Sequence, residues 1–213
     1  MLLTPSSAEV WRGAIVDHPR LVGILDSPGT LHRFVRDSGC RWAGDNGAYS
    51  KKGFASKPYR RMLEVMADWQ PQCLFIVAPD SVGDAEATLK RFRKWEPELH
   101  AGGWPVAFVS QDGLAPEVIP WDSFECFFVG GTDDWKLTVP SVALMAEAKR
   151  RGKWLHVGRV NSRPRVLFCH HVGADSFDGT HYGFEPDRAA RWVVPMLRWL
   201  DKQPTLEGLE DVA

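Results

Sequence analysis

Short apolar runs alternate with longer amphipathic stretches along most of this chain. Seven runs have the length of β-strands, and they cover residues 21–26, 40–45, 73–80, 105–111, 126–131, 154–160 and 174–180. Runs that are apolar at nearly every position are typical of strands covered on both faces, as in parallel sheets. A weaker eighth strand candidate lies at residues 14–16.

The amphipathic stretches predict helices. Apolar residues recur at helical spacing over residues 59–69, 85–95, 139–146 and 189–200. The third pattern leads into KRRG (149–152), which is typical of a basic last turn followed by a glycine C-cap. Pro195 lies inside the fourth pattern and predicts a kink or a restart of that helix.

The alternation of strands and helices predicts an α/β fold with a parallel sheet. The expected architecture is a (β/α)8 barrel of the TIM type, with residues 1–213 forming one domain. Such barrels typically have about 250 residues, so this one would be compact or slightly degraded. The alternative is a doubly wound open sheet, although no Gly-x-Gly-x-x-Gly motif follows the first strand. Residues from about 203 to 213 are expected to form a flexible tail.

Charge and cysteine usage narrow the function classes. The net charge is −1, so a nucleic-acid-binding role would need a local basic patch rather than a global basic field. The four cysteines are far apart and form no Cys-x-x-Cys pair, which favours free thiols in a reducing cytoplasm. No stretch resembles a signal peptide or a membrane span, so we expect a cytoplasmic protein without a membrane partner.

Five of the strand candidates end in polar or glycine residues. These ends read DNG (45–47), DS (80–81), SQD (110–112), GGT (130–132) and DGT (178–180). Each one taken alone is more often a helix cap or a turn. In a parallel barrel, however, all of them meet at the carboxyl rim, where barrel enzymes place their chemistry. Several carboxylates around one concave site suit chemistry at the anomeric carbon of a sugar.

The order of these motifs resembles that of the tRNA-guanine transglycosylase superfamily. The similar strings are DNGAYS (45–50), VAPD (77–80), VSQDG (109–113), FVGGT (128–132), LHVGR (155–159) and GADSFDGT (173–180). The resemblance implies a TIM-type barrel that exchanges a guanine in nucleic acid for a free 7-deazaguanine base. It also implies a covalent glycosyl-aspartate intermediate, and it is compatible with a homodimer.

The resemblance implies a role for each matched residue. Asp178 takes the place of the nucleophile, and Asp45 that of the general acid/base that handles the proton on the base. For base binding, the resemblance implies that Tyr49 and Val157 are stacking walls. It implies that Asp80 accepts from the N–H edge of the base. Gln111 and the backbone of Gly130 and Gly131 are implied as donors to the carbonyl oxygen of the base.

Three departures from the family pattern bear on the substrate. Only 35 residues follow Asp178 and none is Cys, so the family's Cys-x-Cys-x-x-Cys zinc segment is absent. The Pro-Thr-Arg after the nucleophile is replaced by residues 179–181, and the chain is much shorter than the tRNA enzymes. These losses resemble the DNA-modifying branch found in phages and bacterial genomic islands. We therefore expect DNA as the partner ahead of tRNA, in a bacterial or phage-infected cell, with a base such as 7-cyano-7-deazaguanine.

A metal or other cofactor is not expected. Besides the missing zinc segment, the group of Cys169, His170 and His171 with His156 or His181 has no spacing typical of a zinc site. We interpret these histidines as structural or substrate-facing.

Basic residues follow two of the rim motifs. Lys51 and Lys52 come after the Asp45 motif, and Arg159 and Arg163 come after the sixth strand candidate. We expect them to bind backbone phosphates, with ordinary surface solvation as the alternative.

Two other functions fit the same residues. A nucleoside or N-glycoside hydrolase would use the same carboxylates, with water resolving the intermediate. A non-catalytic base-binding subunit is the second option, although the matched Asp178 disfavours it.

Overall fold

The computed structural model describes residues 1–50 and 52–203. Eight parallel strands close into a barrel in chain order. They are β1 (Leu2–Thr4), β2 (Val22–Asp26), β3 (Trp42–Gly44), β4 (Cys73–Val77), β5 (Val106–Ser110), β6 (Cys126–Val129), β7 (Trp154–Val157) and β8 (Ser176–Asp178). The barrel is closed by β1, which pairs with β2 on one side and with β8 on the other.

Helices connect the strands and cover the barrel. They are α1 (Glu9–Asp17), α2 (Arg33–Ser38), α3 (Ser56–Met66), α4 (Ala85–Ala101), α5 (Asp133–Lys136), α6 (Val139–Arg150), α7 (Arg163–His171), α8 (His181–Phe184) and α9 (Pro186–Leu200). A 3₁₀ helix at Ala67–Gln72 follows α3, and two 3₁₀ turns, Pro116–Val118 and Trp121–Ser123, connect β5 to β6. Strands of three to five residues and this short connection explain how a full barrel fits in this chain.

The predicted (β/α)8 barrel is confirmed, and the doubly wound alternative is wrong because an open sheet has no pairing between its first and last strands. Seven strands lie within the predicted runs. The eighth candidate was placed wrongly, because residues 14–16 belong to α1, whose Trp11 and Ile15 are buried four residues apart on one face. The missing strand is β1, whose three residues are too few to show a period.

Alternation along the strands separates two cores. Inward-facing apolar residues fill the barrel, namely Leu3, Ala43, Phe75, Val77, Ala107, Val109 and Cys126. Outward-facing residues such as Ile24, Ile76 and Leu155 pack against the helices in a larger core. Successive side chains of a strand point to opposite faces of the sheet. The residue at the end of a strand therefore points either into the cavity or toward the helices, depending on its place in this alternation.

The C-terminal helix, α9, packs against α1 and α8. α9 continues through Pro195 as one element, so of the two expected effects the restart does not occur, and the kink stays a prediction. Val193 and Leu197, on either side of the proline, are buried in the core. The flexible tail predicted for residues 203–213 lies, apart from Gln203, outside the described residues. None of the helices in the described ranges is both long and apolar enough to cross a bilayer.

Candidate functional site

A cavity of about 190 Å³ opens at the carboxyl end of the barrel, where the strands pass into the loops. The polar and charged residues that line it include Asp45, Asn46, Tyr49, Asp80, Gln111, Lys136, Arg159, Asp178 and Thr180. Its apolar walls come from Pro5, Leu25, Val77, Val82, Val109 and Phe128. The structure thus brings three acids that are distant in sequence, from the ends of β3, β4 and β8, around one cavity.

Asp178 is the last residue of β8 and points inward. His156 Nε2 lies within hydrogen-bond distance of its Oδ2, at 2.9 Å, and the backbone N–H of Arg159 donates to its Oδ1 at 3.2 Å. Each carboxylate oxygen therefore has a hydrogen-bond partner from the protein. The side chain is 12% exposed, so it remains open to a ligand in the cavity.

Asp45 follows β3 and faces Asp178 and Asp80 across the cavity. Burial raises the pKa of Asp45 to about 7, and the charges of Asp178 and Asp80 act in the same direction. The backbone N–H of Gly47 donates to its Oδ2 at 3.3 Å and partly offsets this effect. A carboxyl group with a pKa near 7 can both give and take a proton at neutral pH.

Asp80 is held in place by two amide side chains. Asn46 Nδ2 donates to its Oδ1 at 2.9 Å, and Gln111 Nε2 donates to its Oδ2 at 2.6 Å. Burial raises the pKa of Asp80, while these hydrogen bonds favour the ionised form. Asn46 also donates to the carbonyl oxygen of Ala78 at 2.9 Å. Its role as a positioning side chain was not recognised in the sequence, although it adjoins Asp45.

Gly130 and Gly131 lie in the cavity wall, but one of the two expected donors is already in use. The backbone N–H of Gly130 donates to the carbonyl oxygens of Ser110 and Phe128, each at 3.1 Å. A base carbonyl would therefore meet Gln111 rather than Gly130, since the Gln111 amide has a second N–H beyond the one that Asp80 accepts.

Tyr49 lies at the rim of the cavity and is 61% exposed. The Arg159 guanidinium lies 4.7 Å from the centre of its ring, and Arg159 Nη1 donates to its hydroxyl at 2.9 Å. Arg159 Nη2 also donates to the carbonyl oxygen of Gly131. Arg159, from the loop after β7, thus reaches the loops after β3 and β6.

Val157 does not lie where the sequence analysis expected it. It is buried in the outer core, between the sheet and the helices, and it is not among the residues that line the cavity. The reason is the two-residue period of β7, which turns His156 inward and Val157 outward. Gly158 and Phe128, unlike Val157, line the cavity.

The predicted phosphate-binding residues are spread over the rim. Arg159 lines the cavity. Lys52 and Arg163 are exposed and lie outside the cavity lining, with the Arg163 guanidinium 5.8 Å from the ring of Trp192. Lys51 lies outside the described residues.

Lys136 is a site residue that sequence reasoning missed. This α5 side chain is 1% exposed, and its Nζ donates to the carbonyl oxygen of Gly158 at 2.6 Å. Burial lowers the pKa of Lys136 to about 8, and Arg159 adds to this effect, while Asp178 opposes it. A lone lysine in a polar loop predicts a solvated side chain. Its only signal was its place just after the Gly130-Gly131 rim motif.

His156 is the second residue whose place was not foreseen. It is fully buried beneath Asp178, and burial lowers the pKa of its imidazole. Within residues 1–50 and 52–203, no three His, Cys, Asp or Glu side chains are grouped to hold a metal ion. The sequence signal that could have located His156 is its spacing: it precedes Gly158, at the rim after β7, by two residues and therefore faces the same side of the strand.

The fold and the site define a (β/α)8-barrel protein with a carboxylate-lined cavity at the carboxyl rim. No protein-family model matches the chain, and no curated protein matches its sequence. Among solved structures, it resembles one from the tryptophan synthase complex of Pyrococcus furiosus, with a TM-score of 0.56 and 14% identity over 92% of each chain. It also resembles dihydrodipicolinate synthase from Bacillus clausii, with a TM-score of 0.54 and 15% identity over 95% of this chain and 70% of that one. At these identities the likeness shows the barrel fold alone.

Proposed function

We propose that the chain is an enzyme that exchanges a guanine in DNA for a free 7-deazaguanine through a glycosyl-aspartate intermediate. The observation that carries this proposal is the convergence of Asp45, Asp80 and Asp178 on one cavity. These are the acids that the motif resemblance assigns to proton transfer, base reading and nucleophilic attack.

Asp178 is suited to the covalent step. Its carboxylate attacks C1′ of the target nucleoside, the C1′–N9 bond breaks, and the bonding electrons stay on N9 of the departing guanine. The donors from His156 and Arg159 keep the carboxylate in one orientation. The buried ammonium of Lys136 and the Asp178 carboxylate attract each other, and the charge of Asp178 opposes the lowering of the Lys136 pKa.

Asp45 is suited to move the proton in both half-reactions. Its protonated form gives a proton to N9 as guanine leaves, and its ionised form then takes the N9 proton of the incoming 7-deazaguanine. The new N9 attacks C1′ and displaces Asp178, so two displacements return the original anomeric configuration. A pKa of about 7 serves both directions at neutral pH.

Asp80 and Gln111 are suited to read the base. An ionised carboxylate is an acceptor only, so it pairs with the N–H and amino edge of a guanine-like base. The amide of Gln111 is anchored by Asp80 at one hydrogen and by the backbone N–H of Gly83 at its oxygen, which leaves a second N–H to donate to the carbonyl of a bound base. The same edge groups occur on guanine and on 7-deazaguanine, so one set of contacts serves both.

The rim supports a nucleic-acid substrate. A base must leave its stack before C1′ is reachable, at a cost of a few kcal/mol. The exposed ring of Tyr49 offers a stacking surface at the mouth, and stacking on an aromatic side chain contributes about 1–3 kcal/mol. DNA is proposed ahead of tRNA because Gly179-Thr180-His181, directly after Asp178, replaces the Pro-Thr-Arg of the tRNA enzymes.

The test is base exchange by the purified protein. Guanine-containing oligodeoxynucleotides and tRNA are each incubated with labelled 7-cyano-7-deazaguanine, and label in the polymer is counted. We expect label in DNA with the natural chain, and none with Asp178→Asn. Asp187→Asn removes an equivalent charge from the exposed first turn of α9 and serves as the matched control.

The same assay separates the competing functions. Label in tRNA but not in DNA would keep the chemistry and change the substrate. Release of free guanine without incorporation would replace the transferase with a hydrolase, since water would then resolve the intermediate. Exchange of normal rate by a folded Asp178→Asn variant would remove the assigned nucleophile and the proposal with it.

A further inference from the structure

A continuous chain of hydrogen bonds ends on the proposed nucleophile. Trp154 Nε1 donates to Ser176 Oγ at 2.7 Å. Ser176 Oγ lies 2.8 Å from His156 Nδ1, and His156 Nε2 lies 2.9 Å from Asp178 Oδ2. All four residues lie on β7 and β8, where His156 and Ser176 are paired in register. The two-residue period of each strand brings these side chains to the same inner face.

The chemistry of the outer members fixes the direction of every bond. The indole N–H of Trp154 is a donor only, and an ionised Asp178 is an acceptor only. Ser176 Oγ therefore accepts from Trp154, and its own hydrogen is free for the histidine. His156 must carry a hydrogen on Nε2 to reach Asp178. In the neutral imidazole this leaves Nδ1 as the acceptor of the Ser176 hydroxyl.

The surroundings of His156 keep the ring neutral. Its imidazole is 0% exposed, and it packs against the rings of Phe75 and Phe128 at centroid distances of 5.1 and 4.4 Å. Burial lowers its pKa, and the N-terminal amine of Met1 and the ammonium of Lys136 act in the same direction, while Asp178 opposes them. A neutral ring donates to the carboxylate without giving its proton away.

We propose that His156 is a positioning residue for Asp178, locked by Ser176 and Trp154 in the tautomer that carries its hydrogen on Nε2. The inference rests on the proposed function, in which Asp178 attacks C1′. The histidine holds Oδ2 and the backbone of Arg159 holds Oδ1, so the carboxylate cannot rotate away from the cavity. His156 does not touch the substrate; it acts through Asp178.

The activity test uses variants that keep or remove the donor. His156→Leu removes the N–H, and we expect kcat for exchange to fall by about 100-fold, because small misplacement of a reacting group has an effect of that size. KM for the oligonucleotide stays unchanged, since His156 makes no contact with it. His156→Gln keeps an N–H donor at a similar reach, so it recovers most of the lost kcat. His171→Leu and His171→Gln, at an exposed position of α7, are the matched controls.

A spectroscopic test reads the tautomer directly in the full-length chain. With ¹⁵N-labelled histidine, the ring nitrogens of His156 are assigned by the signals lost in His156→Gln. We expect a protonated Nε2 and an unprotonated Nδ1 at neutral pH. In Ser176→Ala, which keeps the histidine, we expect a mixture of tautomers and a partial loss of kcat.

The outcomes separate this inference from the function on which it rests. Exchange by the natural chain together with full kcat in a folded His156→Leu variant overturns the positioning role and leaves the transglycosylase standing. A hydrogen on Nδ1 instead of Nε2 overturns the role in the same way. If the natural chain exchanges no base in DNA or tRNA, the proposed function falls, and the positioning role falls with it. If the His156→Leu variant does not fold, the kcat of His156→Gln and the kcat and histidine tautomer of Ser176→Ala test the positioning role instead.

Discussion

Arg159 and Tyr49 meet across the mouth of the cavity, with the guanidinium carbon 4.7 Å from the ring centre and Nη1 2.9 Å from the hydroxyl oxygen. One comes from the loop after β7 and the other from the loop after β3. The arginine therefore contributes both a positive charge and an ordered neighbour for a stacking surface. Its backbone has a φ of 60°, a left-handed conformation that is uncommon for a residue with a side chain.

The first prediction concerns the charge of Arg159. Arg159→Gln should weaken binding to a guanine-containing oligonucleotide, and the slope of log K against log salt should become shallower by about one unit, since one phosphate contact is lost. Fluorescence anisotropy at several salt concentrations measures both quantities. Arg198→Gln, on the exposed surface of α9, removes the same charge away from the rim and should leave the slope unchanged. An unchanged slope in Arg159→Gln would mean that Arg159 serves only the architecture of the rim.

A second prediction comes from Asp133, whose carboxylate lies near three cations. Asp133 Oδ1 lies 3.5 Å from Arg165, 3.7 Å from Lys136 and 4.0 Å from Arg159. A backbone phosphate bound at the rim would compete with this carboxylate for Arg159 and Arg165, whereas Lys136 is buried. Asp133→Asn should therefore tighten oligonucleotide binding by a few-fold. Asp134→Asn removes an equal charge from the same turn, so equal tightening by both variants would point to net charge alone.

The third prediction is a pH dependence of stability centred on Asp45. Its pKa rises on folding from 3.8 to about 7, so the folded protein binds this proton more tightly than the unfolded chain does. Stability contributed by this group is complete below pH 4 and is lost as the pH rises to about 7. Asp45→Asn should raise the free energy of unfolding at pH 8 by roughly 1 to 3 kcal/mol, because cavity water screens part of the full effect.

Urea unfolding at pH 4 and pH 8 checks this sign. The difference between Asp45→Asn and the natural chain should shrink as the pH falls to 4, and Asp187→Asn should show no such trend. The same variant should lose base exchange, since an amide cannot shuttle the N9 proton. If Asp45→Asn gains stability but keeps full exchange, the buried charge of Asp45 lowers stability as predicted, but Asp45 is not the group that transfers the N9 proton.

The fourth prediction compares Gly179, where a side chain has no space, with Gly13, where a side chain has open space around it. A methyl group added at Gly179, next to Asp178, would lie 2.5 Å from Asn161 Oδ1 and from the carbonyl oxygen of Val160. Gly179→Ala should destabilise the fold by about 1–3 kcal/mol and impair exchange, since the loop must shift. Gly13, inside α1, has open space around it, so Gly13→Ala should stabilise by about 0.5–1 kcal/mol. Thermal unfolding of the two variants gives the comparison.

The barrel architecture could be predicted from the sequence because it depends on the local spacing of apolar residues. Near-continuous apolar runs predicted parallel strands, and their alternation with amphipathic stretches predicted the barrel. The parallel direction of the strands then implied that Asp45, Asp80 and Asp178 meet at one rim. Their proposed chemical roles rest on the order of the motifs, and they stay predictions until exchange is measured.

Other features depended on neighbours that no local pattern specifies. β1 has three residues, and it becomes a strand because β2 and β8 supply its hydrogen bonds. The local sequence predicts Lys136 to be a surface residue. In the structure its side chain is buried and its Nζ donates to the carbonyl oxygen of Gly158, which lies in another loop.

The sequence by itself determined the order of seven of the eight strands and of four helices, and with it the rim on which the acids gather. Only the tertiary structure decided that Val157 faces the helices while His156 faces Asp178. The phase of a strand in a closed barrel is set by pairing with both neighbours, and hydrogen bonds such as that from His156 to Asp178 join residues of different strands. Local sequence encodes the period of a strand, but the partners that satisfy each buried polar group are chosen by the folded barrel.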